Sequence, residues 1–139
     1  MIINKANDGK HIYTAWREGR EKKFTLELFR AYFFVNSDSP EPATYKPTRY
    51  LQREFEYESG DWVNLEGESL KKVYVDSSQD IKSAKGSFSK TYEADVPFTF
   101  RYAIDKIDSI SESEMRKWYW DMEWQQGGEY DQAITTIVV

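Results

Sequence analysis

The sequence predicts an α+β fold, a mostly antiparallel mixed sheet with one or two short helices. Three observations support this prediction. Apolar and polar residues alternate in several short runs, which is typical of strands with one buried face. Turn signals rich in glycine separate these runs and favour antiparallel neighbours. Helix-start signals are clear at only two places, after Ser77 and at Pro97.

The first part of the chain is predicted to be rich in strands. Residues 11–17 and 23–28 are expected to pair around a turn at Gly19. Residues 29–35 are apolar apart from one arginine, which indicates a buried strand. Residues 37–47 hold three of the 4 prolines and are predicted to be a loop.

The middle of the chain is predicted to be a meander of two or three antiparallel strands. Residues 49–57 alternate, and Ser59-Gly60-Asp61 is expected to form a turn before residues 62–65. A second turn at Gly67 then leads into a strand over residues 70–75.

Two short helices are predicted after the meander. Ser77 and Ser78 are suitable N-caps for a helix that begins near Gln79, and Gly86 should keep it short. Residues 92–96 are expected to form a strand. Pro97 suits the first position of a helix that continues to about residue 104.

The carboxyl-terminal part is predicted to contain a hairpin after a polar linker at residues 109–114. Residues 118–124 and 132–139 would pair around the turn at 125–131. On the first of these strands Asp121 and Glu123 would share a face, roughly 6.5–7 Å apart along the backbone. Two carboxylates so placed can reach divalent ions. An acidic, solvated strand face explains the same pattern.

Three sequence blocks resemble family B DNA polymerases of the archaeal type. Residues 89–106, SKTYEADVPFTFRYAIDK, are similar to a segment that precedes the first motif of the proofreading exonuclease in these enzymes. Residues 29–34, FRAYFF, resemble an aromatic strand near their amino terminus, and residues 79–81, QDI, resemble a helix start. The resemblance covers nearly the whole chain, with the blocks in the family's order.

The resemblance implies an amino-terminal polymerase domain over residues 1–109 and the start of an RNase H-like 3′–5′ exonuclease domain over 110–139. Asp121 and Glu123 match the first two carboxylates of the exonuclease site, which in the complete enzyme holds Mg²⁺ or Mn²⁺. These 139 residues include neither the later exonuclease motifs nor the polymerase palm, so we expect them to be inactive alone and to bind no ion. The implied partners are the DNA template strand and the remainder of the polymerase chain.

The resemblance also implies a pocket that captures template uracil. The matching positions are Tyr32, Ile81, Val96, Phe98 and Arg101. Flat apolar walls suit an extruded base. Two departures from the family pattern weaken this implication, since Ala31 and Lys82 stand where many members have proline. Ordinary core packing also explains these apolar residues.

Composition narrows the function classes. The chain has no Cys and one His, which excludes disulfides, thiolate chemistry and a histidine-rich metal site. A cytoplasmic location is expected, and no apolar run approaches the roughly 18 residues of a membrane helix. A net charge of −5 argues against an autonomous high-affinity nucleic-acid binder. The alternative is a small non-enzymatic α+β module that binds nucleic acid or protein. Self-association through the apolar final strand is a further expectation.

Overall fold

The computed structural model describes residues 2–107, 121–124 and 134–138. Ten strands lie in these ranges. They are β1 (Ile2–Asn7), β2 (His11–Glu18), β3 (Glu21–Leu28), β4 (Ala31–Asn36), β5 (Thr44–Thr48), β6 (Leu51–Glu54), β7 (Glu56–Val63), β8 (Ser69–Val75), β9 (Asp121–Trp124) and β10 (Ile134–Val138).

Two helical regions interrupt the strands. The first is a single compact segment in which a 3-10 turn (Ser78–Asp80), α1 (Ile81–Ala84) and a second 3-10 turn (Lys85–Ser87) follow one another. The second is α2 (Phe98–Lys106), which Pro97 precedes with an extended backbone. Both begin where the serine and proline signals predicted a helix start.

Within the described residues all strand pairs are antiparallel and form four small sheets. The sheet orders are β1-β2-β3, β4-β8-β7, β5-β6 and β10-β9. The predicted α+β class with antiparallel sheets and short helices is therefore confirmed. The predicted hairpin near the carboxyl terminus is present as β9 and β10, whereas the predicted linker at 109–114 lies outside the described residues.

The core surrounds β4, whose first five residues are all buried. Phe33 and Val35 are completely buried, and Val73 on the neighbouring β8 is buried with them. Aromatic rings extend this core toward α2. Phe29 packs against Phe98 and Tyr102 of α2, with ring centroids 5.4 Å apart in both pairs. The continuous apolar run that predicted a buried strand is explained by this central position.

One face of the β1-β2-β3 sheet packs against the core. Ile12 and Thr14 on β2 are buried, and the hydroxyl of Tyr102 on α2 donates to Glu27 of β3 at 2.8 Å. On the opposite face Phe24, Leu26 and Leu28 are exposed. Alternation along the strand thus places a row of apolar side chains in solvent.

Two segments, one predicted to be a loop and one predicted to be a turn, belong to strands in the structure. Residues 44–48, which fall mainly in the predicted loop, form β5 despite Pro47. Among the described strands β5 pairs with β6 alone, and the register shifts between Tyr45 and Thr48, so the proline removes no essential ladder bond there. The predicted turn at Gly60 is a register shift within the continuous β7. A Cβ at Gly60 would come within 2.6 Å of the Trp62 ring, so glycine is needed there for close approach.

The predicted strand over residues 92–96 is wrong except at its first residue. Tyr92 makes an isolated antiparallel bridge with Phe34, with backbone N–O distances of 3.0 and 2.8 Å. The chain then turns, and Glu93 has a φ of 56°. The structure also adds a strand, β1, that the sequence pattern did not predict.

In the part of the chain that the structure describes, no helix is both long enough and apolar enough to cross a membrane.

Candidate functional site

Three of the five residues predicted to form a base pocket line one cavity of about 460 Å³. They are Ile81, the first residue of α1; Val96, in the turn before α2; and Phe98, the first residue of α2. Ile81 and Val96 are half-buried and Phe98 is buried. These three residues therefore contribute apolar side chains to the lining between the two helix starts.

A network of hydrogen bonds fixes the segment that carries Ile81. The Ser77 side chain accepts from the backbone N–H of Gln79 at 3.3 Å and caps the first turn. The hydroxyl of Tyr45 donates to the buried Asp80 at 3.0 Å and accepts from the backbone N–H of Asp76 at 2.9 Å. Burial, together with this bond to Asp80, raises the pKa of Tyr45 well above its usual range. The residue before Ile81 is thus fixed to β5.

Gly9 supports the same segment from the β1–β2 turn. Its carbonyl accepts from the backbone N–H of Ser78 at 2.8 Å, and its φ is +94°. A Cβ at this position would meet the Ser77 hydroxyl. Both the backbone conformation and the close approach therefore require glycine.

The rim of this first cavity is basic. Lys82 and Lys85 both line it and are both exposed. Asn7, Ser78 and Gln79 add polar groups. A mixed lining of apolar, polar and cationic side chains is compatible with a ring that carries an anionic substituent. Lys82, one of the two departures from the family pattern, faces this rim rather than disrupting α1.

The other two predicted pocket residues, Tyr32 and Arg101, line a different cavity of about 930 Å³. No lining residue is common to the two cavities. The predicted set of five is therefore divided between two neighbouring sites. Phe34 and Trp62 are among the aromatic residues that line the second cavity, and Lys72 and Asp105 are among its charged residues.

Arg101 and Tyr32 each bind a carboxylate in this second cavity. Arg101 Nη2 donates to Glu93 Oε2 at 2.5 Å, and its guanidinium carbon lies 5.0 Å from the centre of the Tyr32 ring. The Tyr32 hydroxyl donates to Asp105 Oδ2 at 2.5 Å. Burial, followed by this bond to Asp105, raises the pKa of Tyr32 far above its usual value. Tyr32 therefore remains neutral at physiological pH.

Lys72 and Trp62 belong to the second cavity but were not predicted as site residues. Lys72 Nζ lies 4.4 Å from the centre of the Tyr32 ring and 4.4 Å from that of Trp62. In the register of the sheet Lys72 is directly opposite Phe34, so the two share a face. The alternating patterns of β4 and β8 indicate which residues of each strand share a face. Only the pairing of the two strands shows that Lys72 lies next to Phe34.

The predicted metal ligands Asp121 and Glu123 lie at alternate positions of β9, opposite Val138 and Thr136 of β10. Their side chains lie outside the described part of the structure. Among the described residues there is no group of three or more His, Cys, Asp or Glu side chains that could hold a metal ion.

No protein-family model and no curated protein sequence matches the chain significantly.

Proposed function

We propose that this chain is the amino-terminal region of a family B DNA polymerase of the archaeal type, and that its first cavity binds a base extruded from the template strand. The observation that supports this most strongly is the position of Ile81, Val96 and Phe98. These residues were assigned to a base pocket from the sequence resemblance, and all three line one cavity of about 460 Å³.

The chemistry of this cavity suits a nucleobase attached to a phosphate backbone. Ile81, Val96 and Phe98 offer apolar contacts to a base. Lys82 and Lys85 at the rim are suited to the adjacent phosphates, which position a strand without reading its sequence. Discrimination of uracil from thymine would depend on whether the walls leave room for one methyl group.

The carboxyl-terminal hairpin is proposed as the start of the proofreading exonuclease. Asp121 and Glu123 alternate along β9, which is the spacing that places two carboxylates on one strand face. Their oxygen ligands suit hard divalent ions, so these two residues would hold Mg²⁺ or Mn²⁺ together with ligands from other segments. When bound, such ions activate water and stabilise charge on a phosphate. The two carboxylates would supply negative charge that attracts the ions.

The alternative is a non-enzymatic protein-binding module. The observation that favours it is the exposed row of Phe24, Leu26 and Leu28 on β3, because large exposed apolar patches commonly mark interaction surfaces. This face lies on the β1-β2-β3 sheet and includes none of the residues that line the first cavity. Substitutions can therefore separate the two functions.

Binding of single-stranded DNA tests the proposal. Fluorescently labelled strands that differ only in one uracil or thymine would be titrated with the 139-residue protein, with anisotropy as the readout. We expect tighter binding of the uracil strand, by roughly 10–200-fold. Ile81→Gln should remove this preference, because a longer, polar side chain replaces part of the apolar wall.

Ile104→Gln is the matched control, because Ile104 lies on the exposed side of α2 and does not line the first cavity. It should retain the preference. Equal affinity of the wild-type protein for the two strands would contradict the proposal and leave Ile81 as a packing residue.

A further inference from the structure

The strand β3 is an open edge among the strands that the structure describes. It is the last strand in the order β1-β2-β3 and pairs there with β2 alone. All of its 8 residues are exposed, including Phe24 at 76 % and Leu28 at 71 %. Prolines, bulges or a run of like charges protect many natural edge strands from pairing with another chain. β3 has no proline and no register shift against β2, and its charges are of both signs, so its edge can accept a further strand.

The backbone groups that point to this open edge belong to the residues of the apolar row. The N–H of Phe29, directly after β3, donates to the carbonyl of Lys10 at 2.9 Å. Backbone groups alternate in direction along an antiparallel strand, so the odd-numbered residues of β3 bond toward β2. The N–H and C=O groups of the even-numbered residues, which include Phe24 and Leu26, therefore point outward. A second strand must pair with these even-numbered residues.

The sequence of β3 favours one antiparallel register with a second copy of itself. With Thr25 opposite Thr25 of the second copy, Lys23 faces Glu27 and Phe24 faces Leu26. Each of these pairs occurs twice, because the dimer has two-fold symmetry. Side chains alternate along a strand, so the opposite charges meet on one face and the apolar side chains meet on the other. This register also opposes even-numbered residues to even-numbered ones, as the outward backbone groups require.

The two neighbouring registers are less favourable. A shift that places Phe24 opposite its own copy also places Glu21 opposite Glu27, and like charges directly opposite each other destabilise a strand pair. The shift in the other direction places Lys23 opposite Phe29 and leaves β3 with no pair of opposite charges. Charge complementarity and apolar contact therefore select the same register, the one centred on Thr25.

We propose that β3 pairs with β3 of a second copy of this chain, so that two β1-β2-β3 sheets form one continuous sheet in a symmetric dimer. Strand addition at an open edge gives affinity through backbone hydrogen bonds and specificity through the side chains. Tyr13, which is opposite Leu26 in the register with β2 and is itself exposed, widens the apolar face beside the junction. No residue of β3 lines the first cavity, so this dimer is independent of base capture.

The dimer should be weak and reversible. One strand pair buries less area than the roughly 1,200–2,000 Å² of stable interfaces, so we expect a dissociation constant on the order of 100 µM. At the low micromolar concentrations that suit unfolding experiments the monomer predominates, and truncation of Leu26 then affects only the monomer. Dimerisation is therefore measured at high protein concentration.

A charge-reversal experiment tests the register. Sedimentation equilibrium of the 139-residue protein is followed over a concentration series. Lys23→Glu and Glu27→Lys should each weaken dimerisation on the order of 10-fold, because each symmetric dimer would contain two like-charge pairs. An equimolar mixture of the two variants should regain the wild-type association, since opposite charges face each other again in the mixed dimer. Lys46→Glu, on the exposed side of β5, is the control for charge reversal and should have no effect.

A second pair of variants tests the apolar contact without altering the charge pair. Leu26→Lys should weaken dimerisation on the order of 10-fold, because lysine on an edge strand opposes further pairing. Leu65→Lys is the same substitution at an exposed turn position outside β3 and should leave dimerisation unchanged. Ile137→Lys on β10 should also leave it unchanged. The thermal unfolding midpoint of every variant is measured at low concentration to confirm that the monomer is folded.

Hydrogen exchange locates the contact. The amides of Phe24 and Leu26 should become protected as the protein concentration rises, because their N–H groups point to the open edge. Protection that is already complete in the monomer would show that another segment of the same chain covers β3, and it would overturn the proposal. A protein that stays monomeric throughout the series would overturn it as well. So would a mixture of Lys23→Glu and Glu27→Lys that fails to regain association, equal effects of Leu26→Lys and Leu65→Lys, or association that only Ile137→Lys removes.

Discussion

Phe98 and Arg101 lie one helical turn apart on α2, yet they line different cavities. Phe98 closes the cavity that contains Ile81 and Val96, whereas Arg101 faces Tyr32 and Lys72. The first turn of α2 thus contributes to both sites. The hydrogen bond from Tyr32 to Asp105, 2.5 Å long, fixes the later part of the same helix to β4. A single short helix therefore sets the geometry of both sites.

The attachment of α2 to β3 through Tyr102 should weaken at alkaline pH. Burial, with the bond to Glu27, raises the pKa of Tyr102 to about 12, against an ordinary value of 10.0. Because the folded protein holds this proton more tightly, the stability that Tyr102 contributes is complete below pH 10 and declines between about pH 10 and 12. Tyr102→Phe should flatten that decline by up to about 1.4 kcal/mol per pH unit. Urea unfolding at several pH values measures it, and identical slopes for the two proteins would be evidence against this role.

Side chains on the two faces of the β1-β2-β3 sheet differ in burial, so their replacement by alanine should lower the free energy of unfolding by very different amounts. Ile12 is 0 % exposed and Leu26 is 59 % exposed. Ile12→Ala should lower the free energy of unfolding by about 2–5 kcal/mol, because it leaves a cavity in the core. Leu26→Ala should change it by no more than about 0.5 kcal/mol. Denaturant titration of both variants provides the comparison, and a large loss in Leu26→Ala would show that its face is covered in solution.

Two glycines should respond to alanine with opposite signs. Gly9→Ala should destabilise the protein by more than about 1 kcal/mol, because φ is +94° and the new Cβ would meet Ser77. Gly86 has open space around its Cβ position, so Gly86→Ala should stabilise the short helical segment by about 0.4–1 kcal/mol. Thermal or urea unfolding decides the sign. Equal effects of the two substitutions would argue against the close approach of the Gly9 turn to Ser77.

The proposed exonuclease ligands lead to a prediction for the 139-residue polypeptide itself. Two carboxylates leave an ion mostly bound to water, so these residues alone should not hydrolyse DNA. Incubation of a labelled primer with Mg²⁺ should leave it intact. Degradation that disappears in Asp121→Ala would contradict this expectation and show a complete site.

Local signals in the sequence were sufficient to predict the main elements. The alternation of β2 and β3, the apolar run that becomes β4, the cap at Ser77 and the helix start at Pro97 all depend on neighbouring residues. Features that depend on strand pairing and on side-chain contacts were missed. Pro47 is tolerated because β5 is bordered only by β6, and Gly60 is needed because the Trp62 ring approaches it.

The candidate site was predictable only in part, for the same reason. The resemblance to polymerases identified five residues, but it could not show that Tyr32 and Arg101 line a different cavity from Ile81. Lys72 and Trp62 were missed because their proximity results from the pairing of β8 with both β4 and β7. The missing partner of Arg101 Nε is likewise visible only after packing.

The most direct test of base capture is to locate it by NMR. Methyl groups of isoleucine and valine would be labelled, and a short strand that contains one uracil would be added to the 139-residue protein. The proposal predicts concentration-dependent shifts at the methyls of Ile81 and Val96, larger than those caused by the matched thymine strand, with the core residue Val35 as an unaffected reference. Shifts that are the same for both strands, or that leave Ile81 and Val96 unchanged while other methyls move, would contradict base capture in the first cavity.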